Sequence, residues 1–116
     1  MFRQLRYRAI LVFLLSFTTL LRAEVRVATD DAMKAATKKA PPDYPPIARQ
    51  LKIEGKVAVD ITIDAEGNVE RVKIVSGNAM LTPAVVSAVK KWKFTPFTLD
   101  GAATKAVAQL QFDFKM

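Results

Sequence analysis

"GKVAVDITIDAEGNVERVKIVS", residues 55–76, decides the fold. In its first half Val57, Val59, Ile61 and Ile63 share one face, while Lys56, Ala58, Asp60, Thr62 and Asp64 share the other. A period of two belongs to a half-buried strand, because successive side chains leave the backbone on opposite sides. "DAEGN" (64–68) interrupts it, with Gly67 free to take the positive φ of a tight turn. "VERVKIVS" (69–76) resumes as a second strand, with Glu70, Val72 and Ile74 on one face and Val69, Arg71, Lys73 and Val75 on the other. Two strands joined by a short glycine turn predict a hairpin.

Downstream, Gly77 and Asn78 end the second strand, and "LTPAVVSAVKKWKF" (81–94) changes to helical spacing. Thr82 is the expected N-cap and Pro83 the first helical position, with the body running from Ala84 to Lys93. Leu81, Val85, Ala88, Val89 and Trp92 form its apolar stripe. Lys90, Lys91 and Lys93 are expected in the last turn, where cations suit the dipole, and Pro96 closes the element. Asp100-Gly101 turns the chain into a last strand over 104–114. There Ala106, Ala108, Leu110, Phe112 and Phe114 point one way, and Lys105, Val107, Gln109, Gln111 and Asp113 the other.

Upstream, "DYPPIARQLKIEG" (43–55) allows a short helix, with Pro46 tolerated in its first turn. Ile47 and Leu51, four apart, are expected to pack beneath a clasp made by Tyr44 and the prolines, and Gly55 to end the helix. Residues 43–116 therefore predict a two-layer α+β domain. Its ββαβ order gives a three-stranded antiparallel sheet, covered on one face by an amphipathic helix, with a short N-terminal helix before it.

The first 23 residues differ from the rest. Arg3, Arg6 and Arg8 precede an uncharged run from Ala9 to Leu21, and Ala23 supplies a small residue for cleavage. As a helix that run would span about 20 Å, short of a hydrocarbon core of roughly 30 Å. Residues 1–23 thus read as a secretory signal peptide, with an uncleaved anchor over 9–21 as the alternative. Residues 24–42 show no sustained apolar face and end in two prolines, so a flexible basic linker is expected there.

Composition narrows the function. The leader holds four arginines and no acid, so the chain's net charge of +7 falls to +3 without it. That modest excess, with one tryptophan and no interleaving of arginine and aromatics, gives no nucleic-acid footprint. Histidine and cysteine are absent, which removes the commonest general base and metal ligands. Ser87 with Lys90 or Lys91 has helical spacing but reads as surface. Asp60 and Asp64 would lie about 13 Å apart along one strand, too far to act as a carboxylate pair. Asp30-Asp31 is a doublet without further ligands, and no glycine-rich phosphate loop occurs. No enzyme, metal site or cofactor is expected. Trp92 and Phe94 read as core packing.

The ordered motifs resemble the C-terminal domain of the TonB family. That pattern is met at Tyr44, Pro45, Ala48, Gly55, Val57, Asp64, Gly67, Val69, Val72, Ile74 and Ser76, then at Ala88, Val89, Trp92, Lys93, Phe94 and Pro96, across about 43–114. The resemblance implies a periplasmic module of a Gram-negative bacterium, soluble or tethered to the inner membrane. It implies a partner too: a short extended segment of an outer-membrane TonB-dependent receptor, added to the last strand by β-augmentation during energy-coupled transport. Lys105, Val107, Gln109, Gln111 and Asp113 would then belong to an edge strand. The chain departs from the family's transducers in lacking histidine and a long proline-rich rod, and it has Arg49-Gln50 where well-known members have Gln-Ala. Two other readings stay open, a minimal transducer anchored by residues 9–21 and a self-associating envelope protein whose edge strand pairs with its own copy.

Overall fold

A computed structural model describes residues 24–116; the leader and anchor readings of residues 1–23 lie outside the described residues. In chain order come β1 (Val25–Val27), α1 (Thr29–Ala35), β2 (Ala36–Lys38), α2 (Pro46–Gln50), β3 (Gly55–Ile63) and β4 (Val69–Ser76). Then follow α3 (Thr82–Val89), β5 (Lys93–Phe94), β6 (Phe97–Leu99), β7 (Ala102–Thr104) and β8 (Ala106–Phe114).

The main sheet has the order β1-β8-β3-β4. The predicted hairpin is β3–β4, and β8 lies antiparallel on the other side of β3. The β3–β8 ladder runs from Gly55↔Phe114 to Ile63↔Ala106 without a register shift. The β3–β4 ladder shifts twice, which leaves Val75 and Glu70 as extra residues.

Alternation does what the sequence demands. Val57, Val59, Ile61 and Ile63 are fully buried, as are Ala106 and Ala108; Leu110 and Phe114 are nearly so. Leu81, Val85 and Val89 of the α3 region complete this core. Each large aliphatic side chain taken from water contributes about 1.5–3 kcal/mol, so this face is the main attachment of helix to sheet.

Three local expectations are corrected. First, α3 is shorter than its apolar stripe. Thr82 makes no side-chain cap, and Leu81 is the N-cap residue. The Asn78 carbonyl instead accepts from the Leu81 and Thr82 amides, while its Oδ1 accepts from the Met80 amide. The helix stops at Val89, so Lys90, Lys91 and Lys93 fall beyond its last turn. Tighter bonds from the Lys91 and Trp92 amides to Ala88 and Val89 then swing Trp92 into the core.

Second, α2 does not bury Ile47 and Leu51, which are 54% and 61% exposed. Its inward residue is Ala48, fully buried. A single short turn approaches the domain closely only through a small side chain. Lys52, at φ 56°, turns the chain back so that the Ile53 amide donates to the Ala48 carbonyl.

Third, the expected linker is folded over most of its length. Val25–Val27 adds to the sheet parallel to β8, with Val25↔Ala106 and Val27↔Ala108 as partners. In α1, Ala32 is fully buried, Met33 and Ala35 pack partly against the core, and Asp30 and Asp31 sit in the first turn where the helix dipole favours acids. β2 pairs antiparallel with β5, and the Thr95 amide donates to the Ala35 carbonyl. Elements of three and seven residues carry little periodic signal, and their stability comes from docking rather than propensity.

Candidate protein-interaction edge

The five residues expected to face a partner all lie on or just before β8. Their side chains occupy the sheet face away from the helices: Val107 and Gln109 are half-buried, and Lys105, Gln111 and Asp113 are exposed. Lys105 pairs with Glu70 at 3.0 Å, and Asp113 with Lys115 at 3.3 Å.

The backbone phase of β8 fixes which peptide groups look outward. The Lys105 carbonyl accepts from the Val25 amide at 3.2 Å, and the Gln109 carbonyl accepts from the Thr29 hydroxyl at 2.6 Å. Both partners lie on the side away from β3. Peptide groups alternate along a strand, so the outward set is that of 105, 107, 109, 111 and 113. This is the set named from the sequence.

Its setting differs from the expectation, however. The sequence placed β8 at the sheet edge, whereas β1 covers it over Ala106–Ala108 and Thr29 takes the next outward carbonyl. Among the described residues no further strand pairs with β8 beyond Ala108, and the outward groups of Gln111 and Asp113 lie past the Thr29 contact. Arg26, beside Val107, and Thr29 are therefore residues of this candidate edge that the sequence reading missed. The available signal was Val25-Arg26-Val27 itself, too short an alternation to stand out.

The opposite edge, β4, is built differently. Both of its ends carry extra residues, and between them Arg71 and Lys73 stand on the open face opposite Thr62 and Asp60. Bulges and basic side chains are devices that keep an edge from pairing.

The motif residues hold the frame around β8. Tyr44 donates its hydroxyl to the Ile53 carbonyl, and its ring stands edge-on to Phe114 with centroids 5.3 Å apart. The Arg49 guanidinium lies 5.3 Å from that ring's centroid, within cation–π range. Pro45 is the residue before α2, and Ala48 is the helix's contact with the core. Gly55 opens β3 opposite Phe114. A Cβ on Gly67 would sit 2.0 Å from the Phe94 carbonyl oxygen, and the Phe94 amide donates to the Gly67 carbonyl at 2.9 Å. Trp92 donates its indole N–H to the Ala40 carbonyl at 2.8 Å and packs edge-on to Phe112. Pro96, exposed, separates β5 from β6.

The remaining polar candidates do not assemble. Asp64 Oδ1 accepts from the Glu66 and Asn68 amides and so closes the β3–β4 turn. Asp60 keeps one buried carboxylate oxygen without a hydrogen-bond partner. Ser87, Lys90 and Lys91 line an open groove beside β4 of about 570 Å³. Among the described residues, no three acidic, histidine or cysteine side chains group as metal ligands would.

Comparison with known proteins gives concordant results. The family described as Gram-negative bacterial TonB protein C-terminal matches residues 40–116. "Protein TonB" of Vibrio cholerae serotype O1 is 38% identical over 77 residues, covering 65% of this chain and 32% of that protein. "Protein TonB" of Xanthomonas campestris pv. campestris is 33% identical over 78 residues, covering 66% and 35%. The chain thus spans about a third of the length of these relatives. The solution NMR structure of the Pseudomonas aeruginosa TonB CTD superposes with a TM-score of 0.60 at 30% identity, covering 70% of this chain and 84% of that one.

Proposed function

Since the chain belongs to the family of Gram-negative bacterial TonB protein C-terminal domains, we propose that it is a protein-binding module of the cell envelope, not an enzyme, whose β8 edge takes up an extended segment of an outer-membrane TonB-dependent receptor. The partner's backbone would continue the sheet at the outward groups of Lys105, Val107, Gln109, Gln111 and Asp113, and its alternate side chains would meet the two sheet faces. The role that follows is coupling of that receptor to energy-driven transport across the outer membrane. In the same reading residues 1–23 export the chain to the periplasm, and an intact mass starting near Glu24 tests that step.

One observation carries the choice of edge. The β8 ladder holds its register for its whole length, whereas β4 is bulged at both ends and carries Arg71 and Lys73. A regular strand offers evenly spaced donors and acceptors; a bulged, basic one does not.

The natural sequence contains no cysteine, so single introduced thiols report position cleanly. Gln111→Cys and Lys73→Cys chains would each be mixed with cysteine-bearing peptides copied from receptor N-terminal segments. Disulfide capture at position 111 and not at position 73 is the expected result. Capture at position 73 alone, or at neither position, overturns the proposal.

A further inference from the structure

We infer, resting on the β8 docking reading, that residues 25–29 of this chain are the resident occupant of the docking edge and that a partner segment enters by displacing them. Val25–Val27 and Thr29 use the Lys105 and Gln109 carbonyls, two of the outward groups a partner strand would need. Both cannot be paired at once with a resident strand and an incoming one. Binding is therefore an exchange.

The segment is built to leave without unfolding the domain. β1 is only three residues long, and Arg26 at its centre is exposed. The rest of the N-terminal region is fastened elsewhere: Ala32 is buried in the core, Ala35 accepts from the Thr95 amide, and Ala40 accepts from Trp92. Those attachments do not touch β8's outward groups. They keep residues 25–29 beside the edge at high local concentration while the strand itself can detach.

The occupant also describes its competitor. Val25 and Val27, half-buried, flank an exposed Arg26, and a hydroxyl follows two residues later at Thr29. The edge is suited to an extended protein segment with β-branched apolar residues at alternate positions and a hydroxyl donor just beyond them. A partner must outcompete a tethered copy of that pattern. Its apparent affinity falls by the fraction of molecules whose β1 is released. For a released state of about 1–10%, removing the occupant raises affinity roughly tenfold to hundredfold.

The test uses the full chain in detergent and a Val25→Pro/Val27→Asp variant, which removes the amide bound to Lys105 and an apolar contact. The probe is a fluorescent peptide of the chain's own residues 24–30, EVRVATD. The expected result is binding to the variant about tenfold or more tighter than to the natural chain, with amide shifts along Lys105–Gln109. Equal binding to both chains overturns the inference, as does a response confined to β4. So does a Val25 amide that exchanges freely in the natural chain or loses protection on dilution, the latter assigning the strand to a second copy. Receptor-derived peptides form a separate arm. If EVRVATD discriminates between the chains and receptor peptides bind neither, the exchange stands and the receptor reading fails.

Discussion

Replacing Gly67 by Ala puts a methyl group where the structure has a carbonyl. Gly67 has φ 90°, and its Cβ would lie 2.0 Å from the Phe94 oxygen and 3.0 Å from its carbonyl carbon. Gly101 supplies the internal control: its φ is 81°, yet nothing lies within 4 Å of its Cβ position. Both substitutions therefore incur a similar left-handed backbone cost of about 1–2 kcal/mol. Only Gly67→Ala must also push β5 away from the turn. That movement breaks the Phe94 amide bond to the Gly67 carbonyl, worth about 1 kcal/mol, and loosens the packing of buried Phe94 by about 1–2 kcal/mol more. The expected gap between the two variants is about 2–3 kcal/mol. For a domain of this size it corresponds to a difference in Tm of roughly 10–20 °C. Urea denaturation followed by tryptophan fluorescence measures both, since Trp92 is the single tryptophan. Equal losses for Gly67→Ala and Gly101→Ala would show that backbone conformation alone sets the cost, and the close-approach argument would be refuted.

Tyr44→Phe deletes the hydroxyl that serves the Ile53 carbonyl, and a loss of about 1–2 kcal/mol in urea denaturation is expected; no loss would mean that water replaces the bond freely. The Ile47→Ser/Leu51→Ser double variant should stay within about 0.5 kcal/mol for each site, because both side chains face solvent. Ala48→Leu should cost about 1–3 kcal/mol by overpacking, and a reversed order between it and the double variant would place the buried face of α2 wrongly. Trp92→Phe should expose the Ala40 region selectively, read as faster amide exchange over 36–40 than over β3; uniform acceleration would contradict a local brace. Lys105→Ala should change stability by less than about 1 kcal/mol, since its bridge to Glu70 is exposed, and a larger loss in thermal denaturation would contradict that weighting.

The sheet and its core were legible because alternation in β3 and β8 is long enough to measure. Nine residues of period two specify which face is buried, and a slip of one residue would turn every valine and isoleucine outward. The turn at 64–68 was legible for a similar reason, since Asp64 and Gly67 carry their roles in local chemistry: a side-chain oxygen for two amides and a glycine at positive φ. The side-chain faces of β8 followed from the same alternation, whereas the outward direction of its peptide groups is fixed by the Val25 and Thr29 bonds.

Neighbours decided the rest. Nothing within "EVRVATDDAMKA" says that it docks, because Val25 and Val27 acquire their partner only when β8 lies beside them, some eighty residues later in the chain. Ile47 and Leu51 have the spacing of a buried pair, yet the space beneath α2 admits only Ala48. Trp92 was expected to pack from within a helix and does so from the turn after it. Local sequence sets period and turn chemistry, because these depend on bonds a few residues long. Which edge is covered, and by what, depends on surfaces that exist only once the sheet has formed.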